Sequence, residues 1–281
     1  MRGSAGMNVL GCRKQFLCAW KVEHDGFERE RRVVPRVWIG LVIWAGYLGL
    51  VYIIQSLSGI PYDTWGDSAG NLFFGAGLSL IVATVLLALT TTLLGWWHPA
   101  LYDRNRSRHR WPIFIPILMA VAAAMNLAGT DWSAYSGAFL AASLTLGLVG
   151  FTEEIVNRGL LLVGFRTRLS EGWVWFLTSA MFGLTHFVNI ALGADAAGTV
   201  QQVFFAFLAG TVFYILRRTT GSLWAAMLLH GLWDFSVFAT GVGTPGDIVY
   251  VANVIVPLTG LLGLVCVRFV ISDAKERISS T

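Results

Sequence analysis

The chain has 281 residues, 56% of them apolar and 13% charged, with a net charge of +4 and a mean hydropathy of +0.65. An ordinary soluble domain is about 45–50% apolar, so this composition excludes one and makes lipid the solvent; at about 20 residues per span the length allows at most about ten crossings. The calculated pI of 9.1 does not indicate nucleic acid, because the positive charge sits in short blocks between apolar runs and membrane topology accounts for it.

Residues 1–36 are mixed in charge and lack an apolar core, so they form a basic tail rather than a signal peptide or a span, with Met7 as a second candidate start. Low-charge runs of helical length follow at 37–57, 71–97, 112–128, 136–164, 172–192, 199–216, 222–242 and 248–270. The sequence therefore predicts an all-α, polytopic membrane protein of about eight helices in one domain, 37–272, closed by a short tail at 273–281. The fourth run is longer than a bilayer requires and carries Glu153, Glu154 and Arg158, so it is expected to tilt, bend or line a cavity. Cys12, Cys18 and Cys266 are odd in number and scattered, which suits structural thiols rather than a disulfide framework or thiolate metal site; juxtamembrane acylation of Cys12 or Cys18 is the alternative.

Lys and Arg alternate sides of the spans without exception. They precede the first run, fall between runs two and three (Arg104, Arg106, Arg108, Arg110), mark the end of run four (Arg158, Arg166, Arg168), separate runs six and seven (Arg217, Arg218) and close the chain (Arg268, Lys275, Arg277). The other loops carry only acids: Asp63, Asp67, Asp131, Asp195 and Asp247. By the positive-inside rule both termini are cytoplasmic, in the plasma membrane if the source is prokaryotic. Trp96, Trp97, Trp111, Trp132, Trp173 and Trp224 fall near span ends, where indoles anchor at the interface.

Six ionisable residues remain inside spans: Glu153, Glu154, Arg158, His186, His230 and Asp234. A charge at bilayer depth costs about 2.5–3.5 kcal/mol on insertion scales, so such groups usually face an interior or water and mark function. At 1.5 Å per residue Glu153, His186 and His230 come out roughly 14–20 Å deep, in one layer. Glu154 and Arg158 are spaced i,i+4 for an ion pair, leaving Glu153 to project elsewhere; His230 and Asp234 repeat that spacing, as do Phe182 and His186. Asn157, one turn after Glu153, is placed to hydrogen-bond to it. A carboxylate beside an imidazole can hold and deprotonate water for attack on a carbonyl, with a second His stabilising the oxyanion. Alternatively Glu153, His186 and His230 are a zinc-ligand set, although the H-E-x-x-H signature is absent.

The ordered motifs Glu153-Glu154-x-x-x-Arg158, Phe182-x-x-x-His186 and His230-x-x-x-Asp234 resemble those of the CPBP intramembrane proteases, which include the type II CAAX prenyl endopeptidases and bacteriocin-processing or self-immunity proteins. The resemblance covers about 136–240. It implies an eight-helix core around a cavity open to the cytoplasmic side, in which Glu153 and His186 hold the nucleophilic water, His230 and Asp234 occupy the oxyanion positions, and Glu154 and Arg158 support them. It implies a membrane-anchored or membrane-delivered peptide or protein as substrate and leaves zinc open, since similar enzymes are described both as metalloproteases and as glutamate-dependent and metal-free. The chain departs from the pattern at Asp234, where the best-known prenyl endopeptidases have Asn; an Asp donates to an oxyanion only when protonated. Two other readings of the buried charges are a proton-coupled transporter and a catalytically silent immunity or chaperone protein that binds a peptide in the same cavity.

Overall fold

A computed structural model describes residues 31–272; residues 1–30 of the expected tail at 1–36, with Cys12 and Cys18, and the expected tail at 273–281 lie outside the described residues. Among the described residues eight helices are long and apolar enough to cross a membrane: α1 Val37–Ser58, α2 Ala69–Leu94, α3 Trp111–Gly129, α4 Gly137–Phe165, α5 Glu171–Ala191, α6 Ala196–Thr220, α7 Leu223–Thr240 and α8 Ile248–Ile271. Their outward faces carry large apolar side chains such as Leu57, Leu93, Leu228 and Val254, all more than half exposed. Water would penalise such a surface and lipid does not, which is consistent with an integral membrane protein.

The differences from the expected boundaries have local causes. The second helix stops at Leu94 because Gly95 turns the chain at φ +67°, and Trp97–Leu101 forms a separate short helix. Trp96 in that turn is not an interface anchor: it is fully buried, and its indole N–H donates to the Val33 carbonyl at 2.7 Å. Arg32 and Val33 donate backbone N–H groups to the Leu94 carbonyl, so residues just before α1 are docked on the end of α2. The sixth helix continues through Arg217 and Arg218 to Thr220, because both arginines find partners inside the protein.

Those partners close the arginine-rich end of the bundle. Asp103, buried in the segment after the short helix, accepts from Arg166 at 2.8 Å, Arg217 at 2.9 Å and Arg218 at 2.6 Å. Burial alone would raise the Asp103 carboxyl, but the three guanidinium groups overcome it and hold it well below the ordinary carboxylate range. Arg217 also donates to the Ala100 and Arg158 carbonyls, and Arg166 to Glu171 at the start of α5. At the opposite end the acidic loops tie to one another: Tyr62 donates its backbone N–H to Leu192, Gly246 to Gly129, and Thr244 to the Asp131 carboxylate.

Two contacts set the site. A Cβ on Gly150 of α4 would collide with the Met227 carbonyl and come 2.6 Å from the Gly231 nitrogen of α7, while one on Gly231 would come 2.5 Å from the Gly147 carbonyl. Small residues therefore bring α4 and α7 into backbone contact, as is usual where membrane helices approach closely. Helix α4 also departs from α geometry, with a 3₁₀ turn at Thr145–Gly147 and a π segment at Ile155–Leu161. Such π segments reorient side chains and recur at functional sites.

Candidate active site

The close crossing of α4 and α7 puts the Glu153–Glu154 pair beside His230. Glu154 is fully buried and receives Arg158 at 2.9 Å, the expected i,i+4 pair, and on the same oxygen His230 Nδ1 at 3.0 Å. A carboxylate only accepts, so His230 carries its proton on Nδ1 and directs Nε2 away from Glu154. That Nε2 lies 3.6 Å from Asp234 and 3.9 Å from Glu153. Glu154 thus orients the imidazole, a role that residue spacing did not reveal because the two groups are 76 positions apart.

His186 ends the first straight part of α5, where the chain breaks before Val188–Ala191. Its Nδ1 lies 3.1 Å from the Phe182 carbonyl. A carbonyl cannot donate, so in the neutral ring Nδ1 bears the hydrogen and Nε2 is left as an acceptor. The Phe182 ring sits edge-on to both His186 and His230, each 5.4 Å away between centroids, with the Arg158 guanidinium 4.0 Å over its face. It is the wall expected from its spacing, held by a cation–π contact. The His230 ring stacks on Phe213 at 4.6 Å. Gly210 leaves room for the Arg158 guanidinium, which a Cβ there would strike.

Glu153, His186, His230, Asp234 and Phe182 line one cavity of about 780 Å³. Glu153 Oε2 is a buried atom without a hydrogen-bond partner. Asn157 does hydrogen-bond to Glu153: its amide donates to the backbone carbonyl at 2.8 Å. Asp234 is the most open of the group, 37% exposed, and presents an acceptor toward His230.

Several lining residues carried no sequence signal. Tyr47 of α1 lines the cavity and its hydroxyl lies 3.4 Å from Thr152. Tyr62, in the turn after α1, is pushed up by burial, with a Gln202 hydrogen bond opposing and the charges of Asp234 and Glu153 adding. Its place beside both carboxylates depends on how the loop folds back. The donor chemistry of Glu153, His186 and His230 suits zinc, but their placement does not: among the described residues no three His, Cys, Asp or Glu side chains converge as metal ligands do.

The cavity runs from mid-bundle toward the end that bears the acidic loops. Its lining reaches Tyr62 and Trp65 between α1 and α2, Val188 and Asn189 at the end of α5, and exposed Gln201 at the start of α6. The helix ends nearest the two termini, Val37 and Ile271, are at the other, arginine-rich end. The cavity lining thus lies toward the acidic-loop end of the bundle, while Val37 and Ile271 lie toward the arginine-rich end.

Residues 132–236, from the turn before α4 into α7, match a family described as type II CAAX prenyl endopeptidase Rce1-like. This stretch is a CPBP-family domain. Among curated proteins none matches the chain. The Rce1-like stretch contains every charged and imidazole group of the cavity described above, and the family implies peptide or protein substrates in general. The first three helices and the last complete the wall around it.

Proposed function

We propose that the chain is an intramembrane endopeptidase that hydrolyses a peptide bond with water activated between Glu153 and His186. The observation that carries this reading is the pairing of two oriented imidazoles with one buried carboxylate oxygen lacking a partner, all in one cavity. Neutral His186 offers Nε2 as acceptor to one water hydrogen, and the Glu153 carboxylate takes the other proton as the oxygen attacks the carbonyl carbon. The tetrahedral oxyanion is met by His230 Nε2–H. With Nδ1–H held by Glu154, His230 donates from Nε2 only as the imidazolium, with the carboxylates of Asp234 and Glu153 3.6 and 3.9 Å from Nε2. Glu153 then returns its proton to the leaving amine. Asp234 serves the His230 ring as an acceptor rather than the oxyanion as a donor, which accommodates Asp where the resemblance expects Asn.

The full-length protein in nanodiscs is to be incubated with a peptide panel and the products read by mass spectrometry. Glu153→Gln and His186→Ala should each lower turnover by about 10²–10⁴-fold, the usual contribution of a positioned acid or base. Wild-type turnover in either variant refutes the assignment.

A further inference from the structure

We propose that the substrate is a cationic peptide segment, carrying Lys or Arg near the scissile bond, that enters from the face opposite the arginine-rich end; a chain end presenting its C-terminal carboxylate is disfavoured. The inference rests on the endopeptidase reading of the cavity and adds to it the charge and direction of what enters.

The cavity is anionic. Its lining includes Glu153 and Asp234 and no Lys or Arg. Arg158, the nearest guanidinium, is fully buried behind Phe182 and committed to Glu154. A peptide carboxylate brought into this space would lose water and meet two carboxylates, with one cation, the His230 imidazolium, already shared among Glu153, Glu154 and Asp234, which is unfavourable. An ammonium or guanidinium group would meet the opposite situation. Glu153 and His230 both line the space to be filled, with Glu153 Oε2 unpartnered and His230 Nε2, on a side chain 3% exposed, no closer to Asp234 than 3.6 Å.

The approach to the cavity has the same sign. The four loops on the mouth face, 59–68, 130–136, 192–195 and 241–247, hold Asp63, Asp67, Asp131, Asp195 and Asp247 and no Lys or Arg. Asp63, Asp67, Asp195 and Asp247 are exposed. Charge of one sign around a low-dielectric cleft raises the local concentration of the opposite sign. The far end is closed by the buried Asp103 network, so the mouth is the entrance the structure provides. Gln201, Gln202 and Asn189 there supply amide groups suited to an extended backbone. By the positive-inside rule the arginine-rich face is cytoplasmic, which turns the mouth away from the cytoplasm.

Matched peptides differing only in Lys or Glu beside the scissile bond, each with a free or an amidated C-terminus, are to be tested on the full-length protein in nanodiscs. The expected result is kcat/KM at least about tenfold higher for the Lys peptide than for the Glu peptide, higher for amide than for free acid, with the preference shrinking as salt rises. Asp63→Lys with Asp195→Lys should reduce the Lys preference while leaving cleavage of a neutral peptide unchanged. Cleavage without charge preference, or preference for the free acid, overturns the proposal. Binding of the same peptides to the His186→Ala variant, which keeps both carboxylates, separates the two claims: selective binding of the Lys peptide with no cleavage by the wild type defeats the endopeptidase reading and supports this one. For the direction, Gly66→Cys, where an added Cβ meets nothing within 4 Å, should react with a membrane-impermeant maleimide on intact cells. Reaction only after lysis overturns the proposed sidedness.

Discussion

Gly150→Ala isolates the contact on which the site depends. The new methyl would strike the Met227 carbonyl and lie 2.6 Å from the Gly231 nitrogen and 3.0 Å from its Cα, where ordinary contact begins at 3.4 Å. Relieving the nitrogen contact alone takes 3.4 − 2.6 = 0.8 Å, and the atoms are backbone, so no rotamer change can supply it. Helices α4 and α7 must part by about 1 Å, an overpacking that costs about 1–3 kcal/mol. The same movement stretches the 3.0 Å Glu154–His230 bond beyond hydrogen-bonding range, and a misplacement of about 1 Å can cost about 10²-fold in rate. Gly147→Ala, one turn earlier on the same helix, adds a methyl with nothing within 4 Å and serves as the matched control. Peptide turnover and thermal unfolding are to be measured for both in nanodiscs. Gly150→Ala with turnover and unfolding temperature equal to those of Gly147→Ala would show that the helix crossing does not set the site.

Glu154→Gln should lower kcat by about 10–100-fold, the usual effect of losing the group that orients a functional His, and should destabilise the fold by about 3–5 kcal/mol because Arg158 is left buried without a counter-charge; an unchanged kcat argues against an orienting role. Asp103→Asn should also destabilise by about 3–5 kcal/mol. The Asp103 carboxyl is lowered in the fold from 3.8, so its contribution is complete above that value and is lost only as pH falls below it toward the folded pKa. The drop in unfolding temperature should accordingly be the same at pH 5 and pH 8; a drop confined to one of them contradicts the assignment. Exhaustive chelation should leave turnover within about twofold, because the site side chains do not converge on a metal. Loss of activity restored by zinc alone would overturn that expectation.

The eight spans were legible because lipid imposes one requirement on every crossing: about 20 residues of apolar helix with its backbone internally bonded. The Glu154–Arg158 pair and the Phe182 wall were legible for a similar reason, since i,i+4 spacing alone brings such residues together. The triad formed by Arg158, Glu154 and His230 was not, because it joins α4 to α7 and depends on the glycines at their crossing. Trp96 and Arg217 show the limit of reading topology from composition: each has the residue type of a membrane boundary, yet both are fully buried with partners from other segments. The sealing of the arginine-rich end was likewise beyond the sequence. Helical periodicity assigns residues to a layer, but which end of the bundle is sealed depends on long-range bonds, here three arginines from two helix ends meeting one buried aspartate.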